Sequence, residues 1–178
     1  NKNLDVLVMT ATPIPRTLAL TVYGDMDISV IDEMPKGRLP VKTSAFSNKD
    51  QDEVYKFMRN EIKQGRQVFV VYPLIDESIE SASDLFEKPS SLKVATKMYH
   101  DFKDKVFADL RVGLVHGRLK SEEKNKTIED FRHGKIDILV STVVVEVGID
   151  MPNASVMVVE HAERFGLSQL HQLRGRIG

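Results

Sequence analysis

The sequence predicts an α/β protein: a parallel sheet with helices on both faces. Two observations predict it. Short β-rich runs recur at residues 5–10, 41–46, 67–74, 111–116, 137–144 and 155–160, several of them apolar nearly throughout. Strands that read as continuous apolar runs suit a sheet covered on both faces. Between these runs lie stretches with helical periodicity, and strand–helix–strand alternation implies crossovers and a parallel sheet.

The elements justify themselves in order. Residues 1–35 hold one apolar run, "LDVLVM", a proline-containing turn and a short helical pattern. "DEMPKGRLP" is rich in turn residues and reads as a linker. We therefore expect two units: the tail of one domain over 1–35 with the start of a linker, and a second domain over 36–178. In "NKDQDEVYKFMRNEIKQG", Val54, Phe57, Met58 and Ile62 share one stripe and Gly65 suits a stop. The stretch 76–89 carries five carboxylates and one lysine and is the expected mobile insertion. Leu92, Ala95, Tyr99, Phe102 and Val106 recur every three or four residues, an amphipathic helix. "SEEKNKTIEDFRHG" opens on Ser121, expected as the N-cap, with Glu122 and Glu123 in the first turn and Gly134 as the stop.

Composition narrows the function classes. The chain has 178 residues, 42 % hydrophobic and 29 % charged, with a net charge of −1. That balance argues against indiscriminate nucleic-acid binding and leaves room for local patches. One such patch holds Arg164, His171, Arg174 and Arg176 with no acidic residue among them. Cysteine is absent, which excludes disulfides and thiolate metal sites. No apolar run approaches the roughly 18 residues that span a bilayer, so no membrane partner and a cytoplasmic location are expected. The chain opens at Asn1 on an apolar run and reads as a piece of a longer protein.

In a parallel sheet, ligands gather at the carboxyl ends of the strands. There the sequence places an ordered set. "TATPIPRT" brings Thr10, Thr12 and Arg16; "HGR" brings His116, Gly117 and Arg118; "STVVVEVGID" brings Ser141, Thr142, Gly148 and Asp150; "QLHQLRGRIG" brings Gln172, Arg174 and Arg176. Histidine, arginine and a glycine that admits close backbone approach suit a phosphate backbone. Each tripeptide alone is weak, and a capped turn or a solvated arginine face explains it as well. The ordered set is far more specific. A metal hydrolase using Glu160, His161 and His171 fits no helix-borne ligand spacing.

These stretches, with "GDMDISVIDEMPKGR" and "YPLIDES", resemble the superfamily 2 helicases, and within them the RecG family of bacterial branched-DNA translocases. The resemblance covers nearly the whole chain. Mfd- and PriA-like translocases share the later motifs and remain alternatives, as does a non-catalytic interaction module. The resemblance implies a second RecA-like motor domain, preceded by the tail of the first. It implies that Thr10, Thr12 and Arg16 couple the domains. His116, Gly117, Arg118, Ser141 and Thr142 would meet DNA; Gly148, Asp150, Gln172 and Arg176 would meet ATP, with Arg176, on or beside a helix start, as an arginine finger. It implies ATP and Mg²⁺ as cofactors of a full-length enzyme, and branched DNA and single-stranded-DNA-binding protein as partners. The chain contains no G-x-x-x-x-G-K-[ST] loop and no Asp-Glu-x-His box. The triphosphate cradle is therefore expected upstream, in the first motor domain.

Overall fold

The computed structural model describes residues 40–73, 91–142 and 153–177, together with 7, 9, 29–31 and 33. Its centre is a parallel four-stranded sheet in the order β2-β3-β1-β4, built from β1 (Gln67–Val71), β2 (Val112–Val115), β3 (Ile138–Ser141) and β4 (Ala154–Val159). β1 lies inside, hydrogen-bonded to β3 on one side and β4 on the other, and all five of its residues are buried. Four of the six β-rich runs thus form the sheet. The run 41–46 does not: residues 41–47 are irregular and mostly exposed. Strand-like residues without a neighbouring edge to pair with leave their backbone groups to water. Of the run 5–10 only Leu7 and Met9 are described; both are exposed and irregular.

Helices cover both faces. α1 (Gln51–Lys63) and α2 (Ser91–Asp101) pack on one face, where Met58, Val68, Val70, Tyr72, Ala95, Phe102 and Phe107 form the core. α3 (Ser121–Arg132) and α4 (Leu167–Arg174) pack on the other through Ile128, Phe131 and Leu173, against Phe69, Val71, Val115 and Leu139. Alternate residues of β1 therefore feed opposite cores, as the twofold period of a strand demands.

Three local expectations need correction. Phe57 is 53 % exposed, while Met58 is fully buried; the buried face of α1 is narrower than the apolar stripe suggests. Ser121 is the first helical residue of α3, and the N-cap position falls to Lys120, in extended conformation. The α2 pattern does not continue as α-helix either. Residues Phe102–Val106 wind as a π-helical turn, closed by the Phe107 amide on the Phe102 carbonyl at 2.7 Å. That wider turn brings both Phe102 and Phe107 into the core. With Tyr55 they form an edge-to-face trio at 5.1–5.6 Å between centroids. The Arg59 guanidinium lies 5.2 Å over Phe107 and donates to the Val106 carbonyl and Asp109. The stops at Gly65 and Gly134 hold: both adopt positive φ, which a Cβ disfavours.

The amino edge of the sheet is closed by polar pairs. Arg111 forks onto Asp137 at 2.5 and 3.0 Å, and its amide donates to the same carboxylate at 2.8 Å. Burial pushes the Asp137 carboxyl up, but these bonds outweigh it and hold it below its usual range. Gln67, buried at the start of β1, donates from Nε2 to the Phe131 and Ile136 carbonyls, both at 2.6 Å. It ties the end of α3 to the sheet.

Gly113 tests how tightly this packing is set. A Cβ there would lie 2.8 Å from Ile136 Cδ1 and 3.2 Å from its Cγ2. Gly113→Ala is expected to destabilise the fold by about 1–2 kcal/mol through overpacking. Adding Ile136→Val, which deletes Cδ1, is expected to recover part of that loss. Urea unfolding midpoints check both; an alanine variant as stable as the original chain would show that the approach is not confining.

Candidate functional site at the carboxyl edge of the sheet

The strand register fixes which residues meet at this edge. Val71 pairs with Ser141 and Val159, and Val115 pairs with Ser141. The residues next in the chain therefore lie side by side: His116 after β2, Thr142 at the end of β3, Tyr72 after β1 and Glu160 after β4. Cross-strand amides extend the ladder past the strands. The Thr142 amide donates to Val115, the Tyr72 amide to Ser141 and the Glu160 amide to Val71, at 3.2, 2.8 and 2.9 Å.

His116, Gly117, Arg118, Ser141 and Thr142 are thus brought to one edge, but not equally to its surface. Gly117 and Arg118 are exposed and His116 is partly so, whereas Ser141 and Thr142 are buried. The loop after β2 turns outward, with the Leu119 amide closing on the His116 carbonyl at 3.1 Å. β3 instead ends inside the sheet between β2 and β1. The His116 Nδ1 is buried without a hydrogen-bond partner among the described residues. Burial holds its imidazole below its ordinary range; the Arg118 cation adds to this and Glu123 opposes it. A neutral ring beside a cation keeps one nitrogen available as an acceptor.

Beyond β4 the chain turns sharply. His161 adopts φ 51°, the one positive-φ non-glycine residue among those described. A 3-10 turn over Ala162–Arg164 comes next, and Phe165 tucks against the α3 face. The Gly166 amide donates to Gln169 Oε1 at 2.9 Å, which starts α4. Arg176 lies just past the end of α4, not at a helix start as the sequence suggested. Leu173 and Ile177 are buried on either side of it, so the exposed Arg176 side chain projects from an anchored turn. Gln172 and Arg174 are exposed on the same helix, with Arg174 Nη2 3.2 Å from His171 Nδ1. A planar guanidinium presented in this way suits bidentate contact with phosphate oxygens. Thr10, Thr12, Arg16, Gly148 and Asp150 lie outside the described residues. Among the described residues no three His, Asp or Glu side chains group as metal ligands, and no helix is long and apolar enough to cross a membrane.

Sequence reasoning gave Tyr72 no role beyond the stretch "YPLIDES" and weighed Glu160 only as a metal ligand. The Tyr72 hydroxyl is buried with no hydrogen-bond partner among the described residues. Burial raises the Glu160 carboxyl, against a smaller opposing effect of His161. Burial and the Glu160 charge together push the Tyr55 hydroxyl up to about 12.

Comparison with known proteins places this geometry. Residues 49–178 match the family of helicase conserved C-terminal domains. The chain is 52 % identical over 177 residues to the ATP-dependent DNA helicase RecG of Thermotoga maritima, covering 99 % of this chain and 22 % of that protein. It is 51 % identical over 173 residues to RecG of Synechocystis sp., covering 97 % and 20 %. A solved structure of RecG bound to a three-way DNA junction superposes with a TM-score of 0.73 at 51 % identity, covering 98 % of this chain and 21 % of that one. The chain spans about a fifth of the length of these relatives.

The electrostatics of His116 can be checked directly. Its ring is expected to titrate below the ordinary histidine value of about 6.5 and so to be neutral at pH 7. Arg118→Ala should raise the midpoint only in part, since burial is the larger cause. Ring-proton chemical shifts followed against pH decide this; a midpoint at or above the ordinary value would contradict it.

Proposed function

We propose, on the premise that the chain belongs to the family of helicase conserved C-terminal domains, that it is the second RecA-like motor domain of a RecG-type ATP-dependent DNA helicase acting on branched DNA. The observation that carries the reading is the carboxyl edge itself. His116, Gly117 and Arg118 stand beside Ser141 and Thr142 there, in a chain about half identical to RecG helicases over almost its whole length.

On this reading the edge holds the DNA backbone. Arg118 supplies charge, Gly117 lets the backbone approach, and neutral His116 offers a hydrogen bond. Ser141 and Thr142 belong to the same edge, and their hydroxyls reach a phosphate only when the neighbouring residues open. Contacts of this kind position nucleic acid without reading bases. Single-stranded-DNA-binding protein as a further partner rests on the family resemblance alone.

ATP and Mg²⁺ fit this chain as one half of a site. Exposed Gln172 and Arg176 can meet the outer oxygens of a phosphate, and no phosphate-cradling loop occurs in the sequence. When bound, the nucleotide supplies a phosphoryl group whose transfer to water releases free energy. Arg176 contributes a planar cation to charge that develops on the transferred oxygens. Gly148 and Asp150 are proposed to face the same nucleotide, and Thr10, Thr12 and Arg16 to couple the two domains. We keep residues 1–35 as the tail of the first domain and 36–178 as the second.

Two measurements on the full-length enzyme test the reading. Arg118→Ala is expected to weaken DNA binding similarly across sequences and to reduce the salt dependence by about one unit of log–log slope. An altered base preference with an unchanged slope would count against a phosphate contact. Arg176→Ala is expected to lower DNA-stimulated ATPase by about 10³ to 10⁵ with ATP and DNA binding nearly intact. Arg176→Lys should recover little, because a point charge lacks the planar fork. A mutant rate within about threefold of wild type, roughly 0.7 kcal/mol, would mean that Arg176 is not the finger.

A further inference from the structure

The unused polar groups of the sheet lie together at one place. Tyr72 and Glu160 each come one residue after a strand, and those strands, β1 and β4, are neighbours in parallel register through Val71 and Val159. Both amides continue the ladder, so the two backbones are fixed. Val68, Val70 and Tyr72 belong to the core under α1 and α2, as do Val156 and Val158. By the same alternation Glu160 points to that face, beside Tyr72.

Neither group is satisfied there. The Tyr72 hydroxyl is a buried donor with no acceptor among the described residues, and such groups are rare in folded proteins. The Glu160 carboxyl is partly buried, and no hydrogen bond or ion pair reaches it from the described residues other than the influence of His161. The groups that face the pair are few. From α1 comes Tyr55, whose hydroxyl accepts from Gln51 at 2.6 Å and which itself feels Asp101 and Asp52; from its own turn comes His161. The donor without an acceptor and the carboxylate without a donor are thus each other's neighbours.

Glu160 also begins the turn that carries α4. The left-handed conformation of His161 is one that non-glycine residues seldom adopt, and it persists where the surroundings over-determine it. Here the surroundings are the Glu160 amide on Val71, the Arg164 amide on the His161 carbonyl at 2.9 Å, and Phe165 packed against the core. Whatever fixes Glu160 fixes one end of the joint, and Arg176 is at the far end of the helix beyond it.

We propose that Tyr72 and Glu160 are positioning residues: Glu160 gives its proton to solvent, its carboxylate accepts the Tyr72 hydroxyl, and the closed pair fixes the His161 joint that aims α4 and Arg176. The pair itself is argued from this chain alone; its effect on Arg176 rests on the function proposed above. A bond to the ionised form favours that form, so the pair pulls the Glu160 titration downward against the burial that raises it.

The test has two arms. In the purified chain, the Glu160 carboxyl resonance is followed against pH with and without Tyr72→Phe, a change that removes only the hydroxyl. The midpoint is expected to rise by about half a unit or more. In the full-length enzyme, the limb of the pH–kcat profile for DNA-stimulated ATPase is expected to move upward with it. Glu160→Gln should flatten that limb, and Glu160→Asp should restore it in part. An unchanged midpoint overturns the proposal, whatever the function. A shifted midpoint with an unmoved kcat limb leaves the pair standing and overturns its positioning role. A wild-type enzyme without DNA-stimulated ATPase overturns the proposed function, while the titration still decides the pair.

Discussion

The structure depends on one constraint: β1 must be satisfied on four sides at once. Its backbone is paired with β3 and β4, and its side chains feed the cores under α1/α2 and under α3/α4. A strand so placed cannot slip, because a shift of one residue would exchange the two cores. The same register sets the carboxyl edge. Val71, Ser141, Val159 and Val115 end level with one another, and the residues just beyond them become neighbours without further specification.

The two edges of the sheet differ in how completely their polar groups are answered. At the amino edge, Arg111 with Asp137 and Gln67 with two carbonyls leave the buried groups paired. At the carboxyl edge, His116 Nδ1 and the Tyr72 hydroxyl are both buried and have no hydrogen-bond partner among the described residues. Unsatisfied buried groups cost about 1–3 kcal/mol each.

The sheet was legible in the sequence because its strands read as apolar runs bounded by turn residues. The same signal misled at 41–46, where the residues suit a strand but no edge receives them. Phe57 misled because a stripe of apolar residues does not report how wide a face the neighbours cover. Phe107 went unseen because a π turn breaks the period on which helix patterns rely. The position of His116, Gly117 and Arg118 at the edge came from strand order, since any residue ending a parallel strand lands there. The burial of Ser141 and Thr142 did not, because it depends on which strand is central. Tyr72 and Glu160 carried a faint signal: polar residues continuing an alternation whose earlier members, Val70 and Val158, are apolar.

The π turn after α2 gives the chain a fixed length at that point. Five residues, Phe102–Val106, separate the helix from Phe107, and the extra residue rotates Phe107 onto the same face as Phe102. Loss of any one of them would restore an ordinary helical turn and swing the downstream residues by about 100°. Phe107 would leave Tyr55, and Arg59 would lose both the ring beneath it and the Val106 carbonyl. Exchanges of side chain at Lys103, Asp104 and Lys105, all exposed, leave the core contacts untouched. The segment is thus permissive in its spelling and strict in its letter count.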